Sequence, residues 1–429
     1  MTRHRFQIAI ALLSLATGPA YAADVLSLAD AQATARAHAP EAAALAARLA
    51  GTEAIANDAR RAIRLDPSLS GTYAPGRVIG KPEETAWQIG LRWPLDLSGS
   101  WQARGASAEA DRDRTSFERD DGLRALDEAV AIAAADLARA QRALTRAEKL
   151  LGLSGIASDA ARKQLEVGQG TRLDADAAEL DVASAHAGTR QASGRVEEGR
   201  VHLARLLGRD TATGLAVEDP DESTSLTRPA DLEERIQNDP RVLAAHAELR
   251  AARLELTTYE RMMVPVPTLG VDYGKSRRDI PAGSFSGARG VEDLRANWTD
   301  AELGFSVTVP LPLFDRQTQP RAKASARMLT AAAQLDAARA DVRAELGASW
   351  AMLQAAANAL DAVAQTPTVI DRDFTLLEKA LRAGEIDAVA RAQSLRRLQD
   401  AGQSFDTAVY GFRVARAHWI RTTASLSER

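Results

Sequence analysis

The chain contains no cysteine and few aromatic residues, which make up 4% of its 429 positions. Without cysteine there is no disulfide framework, thiolate metal site, iron–sulfur cluster, cysteine nucleophile or lipidated N-terminal cysteine. A surplus of positive charge is also missing, because the formal net charge is −4, and nucleic-acid binding usually requires clustered positive charge. Beyond the first residues, no apolar run approaches the roughly 20 residues of a membrane-spanning helix.

Alanine is what the chain has in excess, with 89 residues against 28 glycines. Alanine favours helices because ordering it costs no side-chain entropy, but it is too small to fill a wide core. Together with leucine, arginine and acidic residues it is typical of long helices packed side by side. We therefore predict a mainly helical protein rather than two or three ordinary globular domains.

The first 22 residues have the features of a secretory signal peptide. Arg3 and Arg5 precede an apolar run over Phe6–Ala16, and a small-x-small cleavage signal ends at Ala22. The apolar run is too short to cross a bilayer, and a buried N-terminal helix is the alternative interpretation. We predict an exported protein that is cleaved after Ala22.

The rest of the chain consists of two copies of one pattern. A helical segment containing Pro40 recurs about 200 residues later at Pro240. Each of these two segments is followed by alternating strand-like residues, a Pro-Leu corner, a long Ala/Arg/Glu-rich stretch and a glycine turn. Such self-similarity indicates a repeated architecture. We predict a signal peptide over 1–22, a first repeat over 23–208, a linker over 209–230 and a second repeat over 231–429.

Each repeat is predicted to contain one very long helix with shorter helices on either side. The long helices span Trp101–Val167 and Gln317–Ala383, about 67 residues or about 100 Å each. The shorter helices of the first repeat, Leu28–Leu65 and Leu173–Leu207, have a summed length close to that of the long helix. They can therefore stack end to end beside it. Paired kinks or breaks are predicted near Gly152–Gly155 and Pro367.

The strand-like segments hold much of the aromatic content, and in each of them apolar residues alternate with small or polar ones. In a soluble sheet the apolar face meets a core, whereas in an outer-membrane barrel it meets lipid, and the pattern leaves both possibilities open. Four strands cannot close a barrel and an open edge is not viable in lipid, so three chains would have to pool 12 strands. The segments are Pro67–Tyr73, Ala86–Leu95, Pro267–Tyr273 and Ala301–Leu311, and the candidate membrane-interface aromatics are Tyr73, Trp87, Trp93, Tyr273, Trp298 and Phe305.

The stretch Gly304–Arg316 reads GFSVTVPLPLFDR. With the signal peptide, the two-fold repeat and the glycine turns, this stretch resembles outer membrane efflux proteins of the TolC family. It looks most like the CzcC-like branch, which serves cobalt–zinc–cadmium or copper–silver pumps. The strand-to-helix corners that carry the resemblance are Pro94, Pro310, Pro312 and Asp315.

The resemblance implies a mainly α fold with a small β part. It predicts a homotrimer with a long α-helical coiled-coil barrel, in which four strands per chain contribute to a 12-stranded β-barrel. The implied location is the Gram-negative outer membrane with a periplasmic extension, without lipidation. The implied partners are a periplasmic adaptor (membrane fusion protein) and an inner-membrane pump of the resistance–nodulation–division (RND) class, and the implied cargo is heavy-metal cations. A drug-efflux or type I secretion channel is one alternative, and a soluble periplasmic coiled-coil adaptor is another.

In this family, glycine-containing turns form the periplasmic tip. Carboxylate rings near a channel axis favour cations, but acidic residues are also favourable as caps at helix N-termini, and both interpretations stay open. Arginines there could pair with the acids, although an exposed pair contributes only about 0–1 kcal/mol. The matching tip and gate candidates are Gly168, Gly170, Arg172, Asp174, Asp176, Gly384, Glu385, Asp387 and Arg391.

Patterns typical of enzymes are missing from the sequence. The six histidines are scattered, and none forms an H-E-x-x-H or similar metal-ligand set. His202 and His418 occupy similar late positions in the two repeats, which favours an architectural role. There is no Walker loop and no G-x-S-x-G motif. We predict no enzyme activity, no cofactor and no metal site.

Overall fold

The computed structural model describes residues 24–61, 66–76, 83–219, 224, 226, 228, 230–280, 296–311, 317–383, 386 and 388–423. The predicted signal peptide, residues 1–22, lies outside this description. The described elements are mostly helices with a small sheet part, which confirms the predicted mainly α fold with a small β part. The described elements are, in chain order, β1 (Asp24–Leu26), α1 (Leu28–His38), α2 (Pro40–Ala59), β2 (Ser68–Gly76), β3 (Glu83–Pro94), α3 (Ser100–Glu166), α4 (Arg172–Leu206), β4 (Leu215–Val217), α5 (Leu232–Gln237), α6 (Pro240–Arg261), β5 (Thr268–Ile280), β6 (Ala296–Thr308), α7 (Thr318–Ala362), α8 (Thr366–Ala383) and α9 (Ala388–Thr423).

The chain divides into two compact units, each of which takes residues from both sequence repeats. The first unit comprises 1–42, 125–227 and 349–421, and the second comprises 43–124, 228–348 and 422–429. Among the described helices, none combines the length and the apolar character needed to cross a bilayer.

The second unit contains a four-stranded sheet in the order β2-β3-β5-β6, antiparallel throughout. The hairpin of one repeat therefore pairs with the hairpin of the other, through β3 and β5. Strand β5 runs to Ile280, seven residues beyond the predicted end at Tyr273. The prediction stopped early because the polar run after Tyr273 has no alternation, whereas main-chain pairing does not depend on side-chain polarity.

The helices of the second unit pack through alanine. Ala103, Ala110, Ala251, Ala252 and Ala331 are all buried. The Ser107 hydroxyl donates a hydrogen bond to the Ala251 carbonyl at 3.1 Å, from one helix to the next. Small side chains allow such close approach of two helix backbones. Helices that pack this closely leave no wide core that aromatic side chains would have to fill.

The first unit has a core of larger side chains. Phe412, Leu137, Leu203, Leu207 and Val130 are fully or almost fully buried. A two-stranded parallel sheet forms where β1 pairs with β4, with Val25 opposite Ala216. This pairing attaches the segment after α4 to the beginning of the described chain.

Proline interrupts one of the shorter helices that the sequence predicted as continuous. The predicted helix Leu28–Leu65 is two helices, because α1 ends at His38, Ala39 is extended with ψ 137°, and Pro40 begins α2. Residues before proline are pushed away from helical conformation, and proline lacks the N–H that a continuing helix needs. The same break recurs at Asp239, which is extended and caps α6.

The two long helices differ from each other. Helix α3 is a single helix of 67 residues, as predicted, whereas the second is divided between Ala362 and Thr366 into α7 and α8. The break at Pro367 is therefore confirmed, but α3 runs unbroken through Gly152–Gly155. Its Leu153 is buried in a cluster with Phe374, Leu377 and Leu398, and this packing outweighs the helix-weakening effect of glycine, about 1 kcal/mol each.

Candidate functional site

One face of the four-stranded sheet is apolar and exposed. Residues opposite each other in a ladder share a face, so the register assigns the whole face. Its side chains range in exposed fraction from 36% for Trp87 to 77% for Phe305. We call it the apolar face, and its members are Leu69, Tyr73, Trp87, Ile89, Leu91, Trp93, Leu269, Val271, Tyr273, Leu303, Phe305 and Val307.

The opposite face of the sheet is polar and rich in glycine. Gly90 lies between Ser70 and Asp272 in the ladder, and a Cβ atom built on Gly90 would lie 3.0 Å from the Ser70 hydroxyl and overlap the Asp272 carboxylate. Glycine at this position therefore leaves the room that the Asp272 side chain occupies. We call this the polar face, and its charged members with described side chains are Arg92, Asp272, Asp300 and Glu302.

Five of the six predicted interface aromatics lie at different levels of the apolar face, whereas the register places Trp298 in line with Asp300 and Glu302 of the polar face. Tyr73 pairs with Trp87, and the Trp87 and Tyr273 rings meet edge to face with centroids 5.6 Å apart, near the hairpin ends of the strands. Trp93 lies nearer the helix ends. Phe305 is opposite Val271, in the middle of the face rather than at a border. Trp298 lies in β6 opposite Arg278, and its side chain is outside the described part.

The strand-to-helix corners are partly described. Pro94 ends β3 opposite Thr268, and Gly99 with φ 68° precedes α3. Pro310 follows β6, and Gln317 adopts φ 54° directly before α7. In both repeats, the residue directly before the long helix has the left-handed backbone conformation. This residue is Gly99 in the first repeat and Gln317 in the second. Pro312 and Asp315 lie outside the described residues.

The turn between α3 and α4 reverses the chain within five residues. Gly168 has φ 74°, its N–H donates to the Leu165 carbonyl at 3.1 Å, and the Gln169 N–H donates to the Gln164 carbonyl at 2.8 Å. This pair of bonds is the Schellman helix ending, which favours glycine because of the positive φ. At Gly170 an added Cβ would lie 3.1 Å from the Cβ of Gln164.

Helix α4 begins with a capping box. The Asp174 N–H donates to the Thr171 hydroxyl at 3.1 Å, and the Thr171 N–H donates to the Asp174 carboxylate at 3.2 Å. The Thr171 hydroxyl also donates to the Asp174 carboxylate at 2.6 Å. This bond, followed by the one from the Thr171 N–H, lowers the pKa of Asp174 below its ordinary value of 3.8. Asp174 therefore acts as a cap in this structure, while Arg172 and Asp176 are exposed on the first turn of α4.

Thr171→Ala is expected to loosen this turn, because the Asp174 N–H in the first turn of α4 loses its acceptor. Hydrogen–deuterium exchange of peptides spanning 165–178 should become roughly fivefold faster at neutral pH, with Thr145→Ala, on an exposed part of α3, as the unchanged control. The pKa of Asp174 is lowered in the fold, so its stabilisation is fully present above pH 3.8 and is lost as the pH falls through the lowered pKa. Equal exchange in wild type and variant would contradict the capping role.

The second glycine turn lies mostly outside the description, which includes neither Gly384, Glu385 nor Asp387. Arg391, just after it on α9, is buried and pairs with Asp181 of α4 at 3.3 Å. The predicted pairing of Arg391 with an acid of the turns stays a prediction, since Glu385 and Asp387 lie outside the described residues. The Arg391 side chain is only 7% exposed and pairs with Asp181, and its charge also contributes to the lowered pKa of Asp174. Asp181 lies ten residues after Thr171, too far along α4 for the turn motif to indicate it.

A second charge cluster, absent from the sequence analysis, lies deeper in the first unit. The carboxylate of Asp406 is 6% exposed and accepts hydrogen bonds from Arg142, at 3.0 Å, and from Arg146. Arg142 also donates to Asp219, at 2.7 Å, and Arg413 pairs with the same carboxylate at 2.7 Å. The cluster therefore connects α3 and α9 to the segment after β4.

Comparison with known proteins identifies the family. The model of the family described as "Outer membrane efflux protein" matches residues 29–209 and 232–416. This chain belongs to the outer membrane efflux protein family. The curated "Outer membrane efflux protein BepC" of Brucella suis biovar 1 (strain 1330) is 24% identical over 299 residues. That match covers 68% of this chain, and the chain spans 62% of the length of BepC.

Solved structures share the fold of this efflux protein. A membrane protein from Pseudomonas aeruginosa has a TM-score of 0.73 at 18% identity, with 92% of this chain and 93% of that chain covered. CusC has a TM-score of 0.72 at 14% identity, with 93% and 92% covered. The predicted TolC-like fold is thereby confirmed, and at these identities the likeness concerns the fold alone.

Among the described histidines of this efflux protein, His418 lies in a contact between two helices, whereas His38, His186, His202 and His246 are exposed. His418 Nδ1 is 2.9 Å from the Glu128 carboxylate, which also accepts a hydrogen bond from Arg421 at 2.8 Å. Burial opposes ionisation of Glu128, but the bonds from Arg421 and His418 outweigh it and lower the pKa of Glu128. Within the described residues, no group of three or more histidine or acidic side chains is placed to hold a metal ion.

Proposed function

We propose that this protein is the outer-membrane channel of a tripartite efflux system, a passive conduit without enzymatic activity. The observation that carries the proposal is the sheet with one continuous exposed apolar face and one polar face. A soluble protein rarely exposes so large an apolar surface, and a membrane barrel requires apolar residues outside and polar residues inside. Family membership supports the same function.

The sheet also supports a homotrimer. Its order leaves β2 and β6 as edge strands, and exposed strand edges are not viable in lipid. Since β2 and β6 run in opposite directions, β6 of one copy can pair with β2 of the next in the same antiparallel pattern. Three copies then close 12 strands, with two sequence repeats, 23–208 and 231–429, in each. The export signal predicted over 1–22 is consistent with outer-membrane insertion.

The helix turns are the proposed contact with the periplasmic adaptor and the RND pump. Among the sequence candidates, the turn at Gly168 and the exposed Arg172 and Asp176 remain available for such contacts, whereas Asp174 is engaged in the cap. We propose the Arg391–Asp181 pair as a lock between α9 and α4 that must separate if these helices move apart. An open groove of about 1570 Å³ between α3, α4 and α9 carries charges of both signs and offers a further docking surface.

Heavy-metal cations are the proposed substrate class. The polar face has three described carboxylates, Asp272, Asp300 and Glu302, and one described cation, Arg92. In a trimer each of these positions is present three times, and carboxylate rings favour cations. The corner sequence over Gly304–Arg316 favours the CzcC-like branch. Export of drugs or proteins is the second candidate, because the same channel architecture would serve either.

Asp272→Asn combined with Glu302→Gln is expected to lower the preference of the reconstituted full-length protein for potassium over chloride in planar bilayers. A unit negative charge about 10 Å away in water lowers the energy of a cation and raises that of an anion by about 0.4 kcal/mol each, so each carboxylate alters the permeability ratio by a factor of about four. Arg92→Gln should move the ratio in the opposite direction. The measurement is the reversal potential in a salt gradient.

Several results would contradict these proposals. A wild-type protein that never conducts would overturn the channel function, and equal shifts in both variants would overturn the role of the polar face. Substrate class is tested by deleting the gene and comparing tolerance to zinc, cobalt, cadmium and copper with tolerance to drugs. Unchanged tolerance to all four metals would exclude the heavy-metal branch. The soluble adaptor alternative requires a protein that separates from outer-membrane fractions.

A further inference from the structure

The exposed apolar surface of the sheet does not stop where the strands stop. Leu97, in the corner between β3 and α3, is 71% exposed, and Leu311, which follows β6, is 70% exposed. Val309 and Val264, at the same end of the sheet, are exposed as well. These values resemble the 77% of Phe305 in the middle of the apolar face. Both repeats therefore continue the apolar surface into their strand-to-helix corners.

The first corner withdraws its only acidic side chain from this surface. Asp96 stands between Leu95 and Leu97, but its carboxylate is only 12% exposed. It accepts a hydrogen bond from the Ser100 hydroxyl at 2.7 Å and another from the Ser98 hydroxyl. The corner thus covers a carboxylate and presents a leucine, which is the reverse of what contact with water favours.

The height of the apolar face points to the same surroundings. At the hairpin end of the strands, charge enters this face with Lys275, at the level of Trp87. Six residues separate Trp87 from Trp93, the last member of the face on β3, or about 20 Å along the strand. With a barrel tilt of about 40° this band is about 15 Å tall, whereas an outer-membrane barrel has an apolar band of about 25 Å.

The corners supply the missing height. Leu97 and Leu311 each lie four residues beyond the last position of the apolar face on their strands. Four residues add up to about 13 Å along the chain, or about 10 Å of depth at the same tilt. Asp96 apart, the first described charged side chains after the two corners are Arg104 of α3 and Arg321 of α7. Charge therefore resumes where the added band ends.

We infer that both corners are immersed in lipid acyl chains, in the leaflet at the helix ends of the strands. The border of the membrane then lies at the first turns of α3 and α7. An aromatic residue such as Trp93 is typical of a membrane border, but a border at its level leaves the apolar layer too thin. Continuity with the apolar face identifies lipid chains as the occupant. This inference rests on the proposed function, since it requires the apolar face to meet lipid.

The test places a fluorescent label at one position at a time. Because the chain contains no cysteine, Leu97→Cys and Leu311→Cys each introduce a single thiol that bimane can label. The full-length labelled protein is reconstituted in phosphatidylcholine vesicles with and without bromine on the acyl chains, since bromine quenches only fluorophores close to it. Both corner labels should lose fluorescence in the brominated vesicles, most of all with bromine near the headgroup. Iodide added to the water should quench them little.

The matched controls are Phe305→Cys, in the middle of the apolar face, and Asp336→Cys, at a side chain of α7 that is 81% exposed. Brominated chains should quench the Phe305 label, and iodide should quench the Asp336 label. Corner labels that behave like the Asp336 label overturn the inference. Corner labels that neither quencher reaches also overturn it, because protein then covers them.

Failure of the inference and failure of the proposed function give different results. If brominated chains do not quench the Phe305 label, the sheet does not meet lipid, and the proposed function is contradicted together with the inference. Quenching at Phe305 without quenching at either corner contradicts this inference alone. Leu97 and Leu311 lie in separate corners, so one label decides the question if the other variant does not assemble.

Discussion

Gly208→Ala is expected to destabilise the protein by roughly 4 kcal/mol. Gly208 ends α4 with φ 67° in a Schellman motif, where the Arg209 N–H donates to the Ala204 carbonyl at 2.9 Å. A Cβ atom there would lie 2.7 Å from the carbonyl carbon of His38 and overlap its oxygen. Alanine would combine two costs, a left-handed conformation and a collision with backbone that has no rotamer to change.

Gly214→Ala is the matched control for this prediction. Gly214 has φ 75°, but nothing lies within 4 Å of an added Cβ, so its substitution costs only the left-handed conformation, roughly 1 kcal/mol. The measurement is the apparent melting temperature of the detergent-solubilised protein, followed by circular dichroism at 222 nm. The Gly208 variant should melt well below the Gly214 variant. Similar melting of the two would show that the end of α1 moves away at little cost.

Asp406→Ala is expected to produce the second large loss, about 3 kcal/mol. The substitution leaves Arg142 and Arg146, whose side chains are 20% and 15% exposed, without their shared carboxylate. Removing one partner of a buried ion pair typically costs 3–5 kcal/mol, because the remaining charge stays desolvated. We take the lower end of that range, since Arg142 keeps its bond to Asp219.

Asp371→Ala provides the comparison for Asp406. Its pair with Lys149, at 2.9 Å, is mostly exposed, and exposed pairs contribute roughly 0–1 kcal/mol. A double-mutant cycle with Arg146→Met separates charge from packing, because Asp406→Ala should cost less once one of the two arginines is gone. The free energies of unfolding for this comparison and for the cycle are measured by chaotrope-induced unfolding under identical detergent conditions. Additive losses in the cycle would contradict the ion-pair explanation.

Much of the fold could be predicted from the sequence, because its signals are local. The bounds of α3 and α4 were predicted within one residue, since alanine-rich helices end at glycine turns with recognisable capping residues. The break at Pro40 was missed, although proline restricts the residue before it. Gly152–Gly155 suggested a break that does not occur, because burial of Leu153 in the cluster with Phe374 is a tertiary effect.

The candidate site, too, could be predicted from the sequence only in part. Alternation in β3 and β6 predicted one apolar and one polar face, and the register extends this to the whole sheet. The sequence could not predict that Asp272 lies opposite Gly90 or that Lys275 lies beside Trp87, because the register depends on which strands pair. Arg391 was recognised near the turn, but its burial and its partner Asp181 were not visible in the sequence.

The sequence by itself determined the mainly helical composition, the repeated order of elements and the amphipathic strands, because each depends on residues close together in the chain. Only the tertiary structure showed that the helices can pack together with few aromatic side chains. Alanine packs the helices of the second unit at close range, while several of the aromatic residues lie on the exposed face of the sheet. The tertiary structure also shows how distant parts of this cysteine-free chain are joined without disulfides. Buried arginine–carboxylate contacts join residues distant in sequence, such as Arg142 with Asp406, and such contacts leave no local pattern.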